Sequence, residues 1–579
     1  MKHILLILFT LIFLPLSIFA ADSNNKFGIH LAQPNIDEFS KVRELVNSNG
    51  GDWGYITLVM QENDRDKNKW QGIFNRLRQD HLIPIIRLAT LPEGENWRRP
   101  EKKDAQSWVN FLDSFNWVVK NRYIILFNEP NHGKEWGGEV DEKSYAEVSL
   151  EFAKKLKEKN PDFFIMLAGF DASAPSWPPG MEDEETFLTR MFKSETNSNL
   201  KNSNFENCFE FSASCFEFLI DGWASHSYPN PGFSGSPYAV GRGTVRTYEW
   251  ELNLLRELGI SKELPVFITE TGWKHQYQIS NIKDQRLLNL ETVGNYFQTA
   301  YEQIWLPDER VKAVTPFVFD YQGEPFLEFS WKKYSSQDFY QQYSMVQSML
   351  KIKGEPEQRE KGWINYELPS DLVVQSTYRF KIKLNNLGQA VWDENYGYQL
   401  NQLNQSESGQ FLFDDLKDIN PFEEKDIYFT LKTNENLGKK KIKFILQKDN
   451  KNIIISEDWS IDILPLPSLE FETNFFSWGK GKGDNYEIQI FDVDDQLIFK
   501  KKNISVRQGI GKLKNIQNIA LDELYRVVLL KPYYLPRQEF VVFKKDNNKI
   551  KFKSMLPFDF NNDGAFNFKD ILSLITKKQ

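Results

Sequence analysis

Residues 123–131 read Tyr-Ile-Ile-Leu-Phe-Asn-Glu-Pro-Asn, and residues 265–273 read Pro-Val-Phe-Ile-Thr-Glu-Thr-Gly-Trp. Each is a short apolar run that closes on a glutamate, Glu129 in the first and Glu270 in the second. An ionisable group at the end of a buried strand is costly unless it faces a polar cavity. Six further apolar runs lie around them: Phe27–Leu31, Tyr55–Met60, Ile83–Ala89, Phe163–Ala168, Trp223–Tyr228 and Val314–Phe319. Amphipathic stretches separate the runs, near 37–48, 68–80, 105–119, 142–159, 183–193, 246–258, 286–305 and 337–351. In 142–159, Tyr145, Val148, Phe152 and Leu156 recur at helical spacing, and Asn160-Pro161 ends the pattern.

Eight alternations of strand and helix predict a (β/α)8, or TIM, barrel over 22–355, with the strand ends facing the site. An open doubly wound sheet is the competing α/β arrangement. The Gly-rich phosphate turn it often carries is missing after the first run, which reads Gly28-Ile29-His30-Leu31-Ala32. Glu129 closes the fourth run and Glu270 the seventh.

That pair resembles clan A of the retaining glycoside hydrolases, in which an Asn-Glu pair closes strand four and a Glu closes strand seven. The resemblance implies cleavage of β-glycosidic bonds in poly- or oligosaccharides by double displacement, with no cofactor for the chemistry. Glu270 is then the nucleophile and Glu129 the acid/base. Asn128 binds the sugar 2-hydroxyl. His226 and Tyr228 are similar to the clan's His-x-Tyr, whose Tyr holds the nucleophile ionised. Arg87, inside the third run, holds Glu270, binds substrate or forms a structural ion pair; His30 is a weaker candidate of the same kind. Trp273 is assigned to substrate binding with them. The sequence departs from the clan on run eight, which lacks the usual Trp; Phe319, Tyr321 or Trp331 is left as the sugar platform. Trp97, Trp136 and Trp177 in loops are candidates for outer subsites or for loop packing.

After about residue 355 the texture changes to alternating strands. Residues 360–465 predict an Ig-like β-sandwich; Asn386-Leu387-Gly388 with Trp392 and Tyr398 resembles one bacterial Ig-like family. Residues 466–555 predict a second small sandwich, resembling transthyretin-like or carboxypeptidase-regulatory domains. In 556–579, Asp559, Asn561, Asp563, Asn567 and Asp570 stand at positions 1, 3, 5, 9 and 12 of a loop with Gly564 at position 6. That is the pattern of a Ca2+ loop. With the helix that follows, it resembles half of a dockerin, which implies a cohesin-like or cell-surface partner. The fold class is thus multidomain: an α/β barrel, two all-β sandwich-like domains and a calcium-binding loop-helix.

The N-terminus, Met1-Lys2-His3 before an apolar run Ile4–Phe19 and Ala20-Ala21-Asp22, predicts a signal peptide over 1–21 and a secreted or cell-surface protein. An uncleaved anchor is the alternative. A net charge of −9 without a basic patch argues against nucleic-acid binding. Cys208 and Cys215 either bridge or stay free thiols. The competing function is a non-catalytic glycan-binding or adhesion protein with a relic barrel.

Overall fold

The computed structural model describes residues 24–193, 213–277, 287–403, 409–477 and 479–576. The expected signal peptide and Cys208 lie outside the described residues. Two compact units divide the chain, Met1–Arg359 and Glu360–Gln579.

The first unit holds eight parallel strands: β1 Gly28–Leu31, β2 Gly54–Gln61, β3 Leu82–Ala89, β4 Arg122–Leu126, β5 Phe163–Leu167, β6 Trp223–His226, β7 Val266–Glu270 and β8 Val311–Val314. β1 to β5 pair in chain order, as do β6 to β8. Parallel bridges Met166–Gly222 and Phe27–Val314 join the two sheets at both seams, closing a (β/α)8 barrel. The last strand begins and ends earlier than the run Val314–Phe319. Alternating apolar residues in Val311-Lys312-Ala313-Val314 pair with β7, and Pro316 follows at once.

Rings of Tyr55, Tyr123, Phe164 and Phe267 meet at centroid distances of 4.9–6.2 Å and fill the barrel between β2, β4, β5 and β7. Thr57 Oγ1 then meets Thr315 Oγ1 at 2.8 Å. On β3, Ile83, Ile85 and Arg87 share one face by the two-residue period, so Arg87 crowns an otherwise apolar row at the C-terminal end of the strand.

The outer helices match the amphipathic stretches. In Glu142–Lys159, the predicted Tyr145, Val148, Phe152 and Leu156 are all buried, and Asp141 caps the N-terminus by accepting from Ser144 N–H. Burying each of these side chains stabilises the unit by roughly 1.5–3 kcal/mol. A helix the sequence did not suggest, Ala213–Leu219, precedes β6. No helix among the described residues is long and apolar enough to cross a membrane.

The second unit contains a two-sheet sandwich. Gly362–Asn365, Thr377–Asn386, Glu424–Thr433 and Gly409–Phe413 form one sheet; Asp371–Val373, Trp459–Leu464, Gly438–Lys448 and Tyr398–Leu403 form the other, with Lys451–Ile455 paired to Gly438–Lys448. Asn386 works as a corner clamp: its amide donates to Ala390 O and Ile419 O, and its Oδ1 accepts from Gly388 N–H. Trp392 is fully buried, its indole N–H on Glu360.

The region expected as a second sandwich differs. Seven of its strands join with Pro557–Asp559 in one continuous eight-stranded sheet, beside a two-stranded ribbon of Asn474–Phe475 and Gly479–Lys480, with a single core that includes Phe471, Ile488, Val527 and Phe543. Nor is it separate from the sandwich: Leu372 bridges Ala520, which packs in the sandwich core, and Val373 packs in the core of the large sheet.

Candidate active site

The chain bends sharply where β4 ends. Phe127 has φ 73° and Glu129 φ 28°, conformations that cost a non-glycine residue about 1–3 kcal/mol and persist only where the surroundings enforce them. Here the Glu129 N–H is taken by Gly169 O at 3.1 Å, beyond β5. The bend turns Asn128 and Glu129 over the barrel mouth. Glu270 reaches the same place as the last residue of β7.

Glu270 is 7% exposed and surrounded by donors. Arg87 Nη1 lies 2.6 Å from Oε1, and the Tyr228 hydroxyl donates to Oε2 at 3.0 Å. His226 Nδ1 is 3.8 Å from Oε2, and His30 Nδ1 is 3.8 Å from Oε1. Burial alone pushes the carboxyl up, but the charges of His226 and Arg87, with His30 and the Tyr228 hydroxyl, bring it down to about 2. His30 itself is pushed down to about 3 by burial, so it is neutral near pH 7 and the work falls to His226, Arg87 and Tyr228. Burial and the Glu270 charge hold the Tyr228 phenol well above its usual range, so it stays a donor.

His226 Nδ1 also meets Glu129 Oε1 at 2.8 Å. The fully buried imidazole would lose its proton to desolvation, yet Glu270 and Glu129 outweigh that and raise it. Its ring lies directly on Gly169, where a Cβ would stand 2.2 Å from Cδ2. One carboxylate oxygen of Glu129 and one of Glu270 lie within 4.8 Å of each other, with His226 between them. Asn128 Oδ1 accepts from Arg87 Nη1 at 2.6 Å, so one guanidinium nitrogen ties β3 to both the Asn-Glu corner and β7.

These groups open on a cavity of about 480 Å3, which His30 and Arg87 also line. Trp97, Tyr321 and Phe317 supply aromatic wall. Phe317 follows β8 and meets His30 edge-on at 5.2 Å. Of the three residues left open as platform, only Tyr321 reaches the cavity. Phe319 is buried against Phe339 and Tyr343, and Trp331 against Phe297.

Trp273, expected among the substrate-binding groups, is placed elsewhere. It is 1% exposed, donates its indole N–H to Gly235 O at 2.8 Å and packs on Phe297. Gly272, at φ 150°, turns the chain away from the mouth. Trp136 is buried between Phe127 and Tyr145, and Trp177 is exposed outside the cavity wall.

Three ionisable residues in the wall are not singled out by the sequence: His132, Asp171 and Glu135. His132 Nε2 pairs with Asp171 at 2.9 Å. Only the short distance from Glu129 to His132 and Glu135 along the chain hinted at them.

In the C-terminal loop, Asp559, Asp563 and Asp570 each bring a carboxylate oxygen within 4.8 Å of the others. Gly564, at φ 83°, makes the tight turn and donates its N–H to Asp559 Oδ2. Asp559 is 3% exposed and its Oδ1 has no hydrogen-bond partner. Asp570 accepts from the N–H groups of Phe560 and Asn567. Asn567 Oδ1 accepts from Lys569 N–H at the start of the terminal helix Phe568–Thr576, and Asn561 Oδ1 from Asp563 N–H. A buried carboxylate oxygen without a donor, among two more carboxylates, fits a hard cation.

No family model matches the chain, and no curated protein matches it. Among solved structures, XacCel5A in complex with cellopentaose is similar at 12% identity, over 56% of this chain and 99% of that one, with a TM-score of 0.35. An FMN-binding β-glucuronidase from Facaelibacterium prausnitzii L2-6 is similar at 10% identity, over 77% and 56%, with a TM-score of 0.34. AbfB, a family 51 α-L-arabinofuranosidase from Bifidobacterium longum, is similar at 8% identity, over 71% and 95%, with a TM-score of 0.35. The barrel itself rests on its own strand order and register.

Proposed function

We propose that this chain is a retaining glycoside hydrolase acting on β-linked poly- or oligosaccharides. The observation that carries the reading is the Glu129–Glu270 pair. Carboxylates about 5–5.5 Å apart suit a nucleophile and an acid/base across one anomeric carbon, whereas inversion leaves roughly 6.5–9.5 Å for a water. One oxygen of each carboxylate within 4.8 Å of the other supports the first class.

In the first step Glu270, kept ionised by its donors, attacks the anomeric carbon as Glu129 gives its proton to the leaving oxygen. A glycosyl ester forms on Glu270 and the aglycone departs as an alcohol. In the second step Glu129 takes a proton from water, whose oxygen attacks the same carbon and returns Glu270 to its carboxylate. Asn128 meets the 2-hydroxyl, a hydrogen bond that strengthens as positive charge grows on the ring. His226 holds Glu129 in place from Nδ1, and Tyr228 keeps Glu270 aligned. Phe317 and Tyr321 offer faces for the sugar ring, and Trp97 lies further out.

The C-terminal loop is read as a structural Ca2+ site held by Asp559, Asp563 and Asp570, with Asn561 and Asn567 turning in on binding. Ile571, Leu572, Leu574 and Ile575 on the following helix are each about half exposed or more, and an apolar face on a metal-ordered helix suits a cohesin-like or cell-surface partner. Export by the N-terminal segment completes the reading.

The test is hydrolysis of a panel of β-glycans by the protein and its E129A and E270A variants. Activity in the parent, loss of about 10³-fold or more in each variant, and rescue of E270A by azide with inverted product are expected. A parent inactive on every glycan, or an E270A that keeps its rate, removes the reading.

A further inference from the structure

Two polar residues of the cavity wall, His132 and Asp171, have no part in the roles assigned above. They stand where two loops are clamped together. Asn131, fully buried, donates its amide to Asp171 O at 3.0 Å and to Glu182 O at 3.1 Å, and its Oδ1 accepts from Asp171 N–H at 3.2 Å. One residue on, His132 N–H donates to Glu129 O at 2.8 Å, and the His132 backbone bridges Met181. Gly133 N–H then donates to Gly180 O at 2.8 Å. The turn that carries Glu129 is thus fastened to the loop after β5.

The clamp fixes both side chains. Asp171 Oδ1 accepts from Ser173 N–H at 2.8 Å, and Oδ2 lies 2.9 Å from His132 Nε2. Burial works against the charge on Asp171, but the His132 and Ser173 hydrogen bonds outweigh it and hold the carboxyl below its usual range. An ionised carboxylate only accepts, so Nε2 carries a proton in this pair. Nδ1 is then the free end of the ring. It has no hydrogen-bond partner among the described residues, and the partly exposed side chain lines the cavity. An imidazole held at one nitrogen by a carboxylate presents the other in a fixed direction. Neutral, Nδ1 accepts a hydrogen bond; protonated, it donates one. A sugar hydroxyl answers either form, whereas an aryl or hydrocarbon surface answers neither.

The contacts read as holding the reacting sugar come from Asn128 at the end of β4, from Glu270 on β7 and from Phe317 and Tyr321 after β8. The leaving oxygen takes its proton from Glu129, so the leaving group begins there. The wall beside Glu129 on the β5 side carries His132 and Asp171. We propose, resting on the glycosidase reading above, that His132, oriented by Asp171, is a specificity-determining residue for the leaving group: its Nδ1 hydrogen-bonds a hydroxyl of the departing sugar. The site then prefers a bond between two sugars to a bond between a sugar and an apolar aglycone, because a group placed to bond a hydroxyl discriminates against a partner that lacks one.

The experiment has two arms. In the first, kcat/KM of the wild type and H132F is compared on an oligosaccharide that the protein hydrolyses and on the phenyl β-glycoside of the same reacting sugar, whose poor leaving group still needs the Glu129 proton. H132F is expected to lose about 10–100-fold on the oligosaccharide and less than about threefold on the phenyl glycoside. Equal losses on both, as a packing role gives, or no loss on either, overturn the proposal. The second arm needs no turnover. E270Q is labelled with 15N-histidine, with H132F for assignment among the six histidines of the chain. β-1,4-Linked tetraoses of glucose, mannose, xylose and galactose are added in turn. A shift of the His132 Nδ1 resonance with at least one tetraose is expected, absent with the phenyl β-glycosides and absent at His81, which lies outside the cavity wall. An Nδ1 signal that no tetraose moves overturns the contact even if H132F fails to fold. Loss of the glycosidase reading alone shows as an inactive wild type whose His132 signal still moves.

Discussion

Arg87 Nη1 lies 2.6 Å from Glu270 Oε1, and the same nitrogen lies 2.6 Å from Asn128 Oδ1. One cation therefore keeps the Glu270 carboxyl charged and orients Asn128 beside Glu129. Arg87→Met is expected to lower kcat/KM by about 10²–10³-fold. The pH dependence follows from the sign of the shift. Glu270 acts only when ionised, and Arg87 helps hold it down to about 2 against burial. Without Arg87 the carboxyl rises, so the low-pH limb of the rate profile moves to higher pH. A profile that falls without moving contradicts this role.

Gly169→Ala tests the contact beneath His226. The new Cβ would stand 2.2 Å from the imidazole Cδ2, so either the ring or the β5 end must shift. The hydrogen bond from His226 to Glu129 is expected to break, with activity reduced at least about tenfold and stability by about 1–3 kcal/mol. Urea unfolding and initial rates read the two effects. An alanine variant with wild-type rates would mean that His226 does not position Glu129.

Glu184 and Glu251 are fully buried near one another in the barrel unit. Burial raises both: Glu251 to about 7, and Glu184 well above its usual range with the Glu251 charge adding to the burial. A carboxyl raised on folding contributes stability that is full below its unfolded value, about 4.3, and is lost as pH rises through the folded value. For Glu251 the window is therefore about pH 4.3 to 7, over which the wild type should lose on the order of 3–4 kcal/mol, and the Glu184 contribution is lost at higher pH. Glu251→Gln should flatten that loss and melt higher than wild type at pH 8, with little difference at pH 4. Parallel melting curves for the two proteins would exclude the pair as the source.

The C-terminal loop predicts a metal effect of its own. Titration calorimetry should show one Ca2+ bound per chain, and D559A or D570A should abolish it. Removing the ion with a chelator should leave glycan hydrolysis unchanged while speeding proteolysis after residue 556. Hydrolysis that stops with the chelator would place a needed cation elsewhere.

How much of this was readable in the sequence depended on whether the signal was local. Glu129 and Glu270 follow apolar runs that must be buried, and a carboxylate at such an end has few places to go but a polar cavity. Tyr145, Val148, Phe152 and Leu156 show their helix by spacing alone. The eighth strand is displaced from its sequence signal because Phe317-Val318-Phe319 is more apolar than Val311-Lys312-Ala313-Val314, yet only the latter pairs with β7. The motif around Trp273 points to the site; the turn at Gly272 and the packing on Phe297 that remove it are tertiary effects. Glu135 carries no periodicity, and its place depends on Trp136 and Gly133 packing against residues far along the chain. The large sheet of the second unit read as a separate sandwich because alternation reports strands but not their partners.

The claim that Glu270 is the nucleophile of a retaining reaction is tested most directly by trapping. The protein is incubated with a 2-deoxy-2-fluoro β-glycoside carrying a good leaving group, digested and mapped by mass spectrometry. The account predicts one fluoroglycosyl unit esterified to Glu270, with E129A trapping at a comparable rate because the leaving group needs no proton. A label on another residue, or turnover of natural glycan with inverted anomeric product and no trapped ester, would contradict it.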